Sequence, residues 1–222
     1  MSDETSGPLT GRRRLLAGIG TGFLLGSFGL TATATSSGRT DATEIEPARS
    51  RDGLDWRAAL LAGDRSILMR RDGPAMRIRY RNADGSLDRD GYVAACHMLR
   101  DVRANRIVQI DPELLDVLCG VQRWMEFNGK LPTIEITSGF RTVSTNESAE
   151  GSGRQSMHLY GKAADIIVPG ASSSVIGAMV RRFNDDGGTG IYPSRQFVHV
   201  DTGAPRSWIA APATRPRRRR RR

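Results

Sequence analysis

The chain has 222 residues, 38% of them hydrophobic and 26% charged, with a formal net charge of +9 and two cysteines. That length suits one domain of ordinary size once targeting segments are set aside. Two cysteines with no Cys-x-x-Cys spacing leave no thiolate metal site, and without the seven arginines from Arg215 onward the charge is +2, which excludes a basic nucleic-acid-binding domain.

Arg12-Arg13-Arg14-Leu15-Leu16 opens an apolar, glycine-rich stretch that reaches Leu30, and Ala32-Thr33-Ala34 offers a small-x-small cleavage site. This is the order of an export signal, and the paired arginines resemble the twin-arginine type. Residues 1–34 are therefore read as a signal peptide that sends the mature chain to the periplasm. An uncleaved anchor is the alternative, but the apolar run is short for a spanning helix and broken by glycines. No stable membrane span is expected in the mature form. Residues 35–54 are polar and small and read as a linker.

Residues 55–210 carry the pattern of a folded domain. Asp55 to Leu61 suits a short helix. Arg65–Arg70 and Met76–Tyr80 flank Asp72-Gly73, a hairpin signal. Asp88 to Arg103 places Tyr92, Val93, Ala95, Cys96, Leu99 and Val102 at helical spacing. A helix with Asp111 as N-cap and Pro112 in its first turn runs through Leu114, Leu115, Leu118, Val121 and Met125 and stops near Asn128-Gly129. Thr133–Thr137 alternates as a strand, and Thr142 to Gln155 is polar enough for a long surface loop of the kind that serves a site. Ala163–Val168 is a second strand, Ser173–Phe183 a helix and Phe197–Asp201 a third strand, an α+β order. Residues 211–222, dominated by arginine, should be disordered. Such a tail would be drawn to anionic envelope polymers or serve no purpose at all. Cys96 and Cys119 lie in apolar helical patterns and suit either one disulfide or two buried thiols.

The chemistry concentrates in Ser156-Met-His158-Leu-Tyr-Gly161-Lys-Ala163-Ala-Asp165 and, downstream, Phe197-Val-His199-Val-Asp201. Two of the chain's three histidines fall here. Two imidazoles and a carboxylate suit zinc and leave its fourth position open for water, the mark of a catalytic rather than a structural ion. Only small or apolar neighbours flank Asp165, so burying it unpaired would be costly; a bound cation resolves that cost, and capping the following turn or pairing with an arginine is the alternative. A lone strand histidine such as His199 is as often structural as ligating. His97 sits on a patterned helix beside Cys96 and Met98 and reads as structural.

These residues resemble the zinc peptidase superfamily that includes the D-alanyl-D-alanine peptidases and the hedgehog signalling domain. Ser138-Gly139-Phe140-Arg141, Leu99-Arg100-Asp101, Ile110-Asp111-Pro112, Gly188-Thr-Gly190-Ile-Tyr192-Pro193 and Phe197–Gly203, with Arg206 and Trp208 after them, resemble its YcbK-like branch, the murein endopeptidase K group. The similarity covers roughly Arg65 to Trp208. It implies a small antiparallel sheet with flanking helices, a zinc ion on His158, Asp165 and His199, and endopeptidase action on peptidoglycan peptides. It also implies that Arg141 contacts a substrate carboxylate or contributes to the catalytic electrostatics. Positions that hold a general base in better-known relatives are occupied here by Gln196 and Phe197, which cannot take a proton from water. Asp201 is then either the base or the partner that orients His199 through its second ring nitrogen. Glu147 and Glu150 are weaker candidates for the base. A zinc-containing wall-binding module without turnover is the competing expectation.

Overall fold

In the computed structural model, which describes residues 55–211 except 131 and 150–152, the domain opens with helix α1 (Trp56–Leu60), whose first N–H groups are accepted by the Asp55 carboxylate. The predicted hairpin is present: β1 (Arg65–Arg70) pairs antiparallel with β2 (Met76–Arg81), with Asp72 at φ 51° in the turn between them. Helix α2 (Arg89–Met98) is capped by Asp88 and ends earlier than the expected Arg103. It stops because the next residues turn back on themselves. Asp101 and Arg106 exchange backbone hydrogen bonds of 2.9 and 3.0 Å, and the Asp101 carboxylate accepts from the Ala104 N–H.

Helix α3 (Pro112–Phe127) starts at Asp111, as the sequence predicts, and lays Leu114, Leu115, Leu118 and Val121 fully inside the core. Leu118→Ala should therefore cost about 2–5 kcal/mol through lost burial and the cavity left behind. The check is the midpoint of denaturant unfolding; an unchanged midpoint would contradict this placement.

The rest of the chain alternates short elements: β3 (Ile134–Ser138), α4 (Val143–Glu147), a 3-10 turn (Met157–Tyr160), β4 (Ala163–Ile167), α5 (Ser173–Phe183), β5 (Gly188–Tyr192), β6 (Phe197–Asp201) and β7 (Arg206–Ile209). All seven strands join one sheet in the order β2-β1-β3-β4-β6-β5-β7. Pairs β1–β3 and β5–β7 are parallel and the other four antiparallel. The expected small antiparallel sheet is thus corrected to a larger mixed one within the α/β content. β1 reaches β3 only after α2 and α3, a crossover that makes the pair parallel. β7 passes β6 and adds to the free edge of β5. Helices α3 and α5 pack on each other and on the sheet, and the core lies between these layers.

Residues 142–155 are not loop throughout, since Thr142 caps α4 by accepting from the Thr145 N–H. Cys96 and Cys119 are buried free thiols rather than a disulfide. The Ile110 N–H donates to Cys96 Sγ, Cys119 Sγ donates to the Ser66 carbonyl, and burial raises the Cys119 thiol above its ordinary range. The signal peptide expected over 1–34, the linker at 35–54 and the arginine tail beyond Ala211 lie outside the described residues. No described helix is long and apolar enough to cross a membrane.

Candidate metal centre

Two adjacent strands and one turn build the site. β4 and β6 run antiparallel with Asp165 directly opposite His199, so their side chains emerge on one face of the sheet. His158 comes from the 3-10 turn that precedes β4. That turn ends at Gly161 with φ 67°, where a Cβ would collide with the Gln109 carbonyl, so only glycine closes it without strain. All three side chains are buried, at 2% exposure for His158, 7% for Asp165 and 8% for His199.

The donor atoms converge. His158 Nε2 lies 3.2 Å from His199 Nδ1 and 3.3 Å from Asp165 Oδ1, and His199 Nδ1 lies 2.9 Å from Asp165 Oδ1. Ligands about 2.0–2.1 Å from a tetrahedral zinc stand about 3.3–3.4 Å from one another. The outward nitrogens fix which atoms point inward. His158 Nδ1 donates to the Gly139 carbonyl at 2.6 Å, and His199 Nε2 donates to Asp201 Oδ2 at 2.9 Å. A carbonyl and a carboxylate can only accept, so each neutral ring turns a bare lone pair inward. Two nitrogen lone pairs and a carboxylate oxygen therefore face one another, an arrangement that calls for a cation. The residues fit a divalent metal ion. Among the described residues this is the one such grouping of histidine and acidic side chains.

A proton on an inner ring nitrogen is the alternative to a cation at this point, and it is in that protonated arrangement that the groups shift. Burial alone would raise the Asp165 carboxyl, but hydrogen bonds from His158 and His199 outweigh it and hold it well below the carboxylate range. Burial would lower His199, and its bonds to Asp165 and Asp201 overcome that and raise it.

Around the three donors stand groups that hold them in place. Arg141 Nη2 donates to the outer oxygen of Asp165, Oδ2, and Arg141 Nε donates to Ser138 Oγ at 2.8 Å. With those two donors committed, Arg141 is not arranged for an unobstructed two-pronged grip on a substrate carboxylate. Asp201 is fully buried; Oδ2 also accepts from Arg206 Nη2 at 2.8 Å, and Oδ1 from the Gly203 N–H at 2.9 Å. Gly139 must be glycine for another reason, because a Cβ would strike the Leu99 backbone, which Phe140 joins through a 2.7 Å N–H···O bond.

A cleft of about 820 Å³ opens over the triad. Thr137, Ser138, Phe140, the 101–103 segment, Thr145, Ser148 and Ala149 line one side, and Tyr192, Phe197 and Trp208 line the other. Tyr192 and Phe197 stack with centroids 4.2 Å apart, and Trp208 lies 5.4 Å from the His199 ring. His97 is exposed on α2 and takes no part in the triad. Glu147 is exposed on α4 and does not line the cleft, while Glu150 lies outside the described residues.

Two contributions escape the sequence reading. The Gly139 carbonyl is a main-chain group that no side-chain pattern announces. Asp101 accepts from the Thr142 N–H at 2.8 Å, the Thr142 hydroxyl at 2.9 Å and the Ala104 N–H at 3.1 Å, tying the 101–106 loop to the start of α4 beside Arg141. Its place in Leu99-Arg100-Asp101 was the available signal. Burial would raise this carboxyl, but those donors outweigh it and hold it at about 2. A carboxyl depressed in the folded state contributes stability above its unfolded pKa of about 3.9 and loses it as pH falls toward 2. Asp101→Asn should flatten that part of the acid-unfolding curve; a curve matching wild type would refute the assignment.

A family model described as Peptidoglycan L,D-endopeptidase MepK matches residues 65–208. The peptidoglycan L,D-endopeptidase MepK of Escherichia coli (strain K12) is 36% identical over 116 residues, 50% of this chain and 62% of that protein. The probable peptidoglycan L,D-endopeptidase MepK of Haemophilus influenzae (strain ATCC 51907 / DSM 11121 / KW20 / Rd) is 31% identical over 116 residues, 50% of this chain and 61% of its own length. The aligned region thus spans a little under two thirds of either relative.

Proposed function

The chain belongs to the MepK family of peptidoglycan L,D-endopeptidases, and from that membership and the triad we propose that it is a zinc-dependent hydrolase of amide bonds in peptidoglycan peptides. The observation that carries this reading is the convergence of three inward-facing lone pairs, 2.9–3.3 Å apart, at the floor of an open cleft. His158, Asp165 and His199 would hold the ion, which when bound supplies Lewis acidity toward a water and the scissile carbonyl.

The surrounding residues prepare that chemistry. Gly139 and Asp201 each hold one imidazole in the tautomer that leaves its inner nitrogen free to ligate. Arg141 occupies Asp165 Oδ2 and so reserves Oδ1 for the ion. Its guanidinium also puts positive charge on the cleft wall, beside the position where negative charge develops on a carbonyl under attack. Asp201, without solvent access and shared between His199 and Arg206, serves as the orienting partner of His199 rather than as the general base. The stacked Tyr192 and Phe197 and the Trp208 ring give the peptide a flat apolar wall to lie against.

Action on peptidoglycan fits the envelope, and the export signal read in residues 1–34 fits delivery to the periplasm. The second reading, a zinc-containing module that binds wall peptides without cutting them, is favoured by one observation. The only acidic residues lining the described cleft are Asp101 and Asp165, both already occupied by hydrogen bonds, and Gln196 and Phe197, where the resemblance to better-known superfamily members implies a base, cannot take a proton from water. Incubation of zinc-loaded protein with crosslinked muropeptides, followed by mass spectrometry, separates the two. Chelator-sensitive fragments with a defined severed bond are expected; retention of intact muropeptides without fragments would establish the module instead.

A further inference from the structure

Resting on the reading above, the charge balance of the cleft says something about the substrate. Five arginines line it, Arg71, Arg103, Arg141, Arg195 and Arg206, against two aspartates, Asp101 and Asp165. Both aspartates are already occupied: Asp165 faces the histidines and Arg141, and Asp101 is filled by the Thr142 and Ala104 donors. Positive charge therefore exceeds negative before any divalent ion adds its own. Two of the arginines have internal duties as well. Arg206 is paired with Asp201, and Arg71 donates to the carbonyls of Met98 and Arg100.

Arg103 is placed differently. It is exposed on the 101–106 loop and donates to a neutral group, the Ser148 hydroxyl, at 3.4 Å. The loop itself is fixed, through the Asp101–Arg106 backbone pair and the bonds from Asp101 to Ala104 and Thr142. A solvent-facing guanidinium on a braced loop at the rim of a cation-rich cleft is suited to gripping a carboxylate through two parallel N–H bonds. The sheet order puts β3, and with it this loop, on the opposite side of the ligand strands β4 and β6 from the aromatic wall of β5 and β7. A peptide crossing the triad would run from one side to the other. We propose that Arg103 binds a free carboxylate of the substrate peptide on the β3 side, so that the site selects anionic peptides over their amidated counterparts.

The test uses two synthetic crosslinked peptides that differ only in one carboxylate, free in one and amidated in the other. They are compared on zinc-loaded wild type, Arg103→Ala and Arg103→Lys. Wild type should prefer the free acid by about tenfold in kcat/KM, the size expected of a charge-assisted hydrogen bond. The preference should collapse toward one in Arg103→Ala, through KM, and return in part in Arg103→Lys. Calorimetric binding of the same pair reads the preference independently of cleavage. Absence of cleavage with an Arg103-dependent binding preference would sink the peptidase reading and sustain this one. An equal acid-to-amide ratio in wild type and Arg103→Ala, by both measurements, would overturn it.

Discussion

Replacing His158 with alanine should release the metal and bring cleavage of crosslinked muropeptides to background, a loss of at least about 10³-fold, equivalent to about 4 kcal/mol of transition-state stabilisation. The size follows from geometry. His158 Nε2 is one of three donors, and the two that remain, His199 Nδ1 and Asp165 Oδ1, lie on neighbouring strands and would hold an ion with two contacts instead of three. The substitution also removes the bond from His158 Nδ1 to the Gly139 carbonyl, so circular dichroism and an unfolding curve belong beside the activity assay. A folded His158→Ala protein that retained both zinc and turnover would rule out this triad as the metal centre.

Asp201→Asn should weaken zinc binding by about 10–100-fold, the usual effect of losing the partner that orients a ligand histidine. This corresponds to about 1.4–2.8 kcal/mol. In the wild type, Asp201 accepts every bond it makes, from His199 Nε2, Arg206 and the Gly203 N–H. An amide must turn an N–H₂ toward one of those donors. If it faces His199, the ring is pressed toward the tautomer that protonates Nδ1, the nitrogen meant for the metal. Added zinc should then restore turnover, because the defect is one of affinity. A general base would behave otherwise: with the site saturated, turnover would stay low. Chelator-buffered zinc titrations with activity measured at each point distinguish the two roles.

Much of the site was legible in the sequence because its three converging donor residues sit in short, regular units. Alternation along Ala163–Val168 and Phe197–Asp201 put Asp165 and His199 each on a definable strand face, and the structure pairs those strands with the two residues in register. Helix α3 was equally readable, since Asp111, Pro112 and a long apolar stripe coincide there. The sheet was less so. β7 is four residues long with only one partly buried position, and β5 begins Gly188-Thr-Gly190, so neither shows the alternation that marks a strand. Gly190 has its reason in three dimensions, because the Trp208 ring lies where its Cβ would be. The end of α2 was misjudged by periodicity, since Leu99 and Val102 continue the stripe while Asp101 closes the chain into a loop. Asp201 was named from the sequence as base or orienting partner of His199, but the Gly139 carbonyl that holds His158 carries no side-chain pattern and becomes visible only once the chain is folded.

Elemental analysis of the purified, folded domain after zinc loading and removal of excess metal tests the central claim most directly. One zinc per chain is expected, falling to near none in Asp165→Ala and His199→Ala proteins that remain folded. A wild-type domain that holds no stoichiometric divalent ion, or holds one equally well without those side chains, would contradict it.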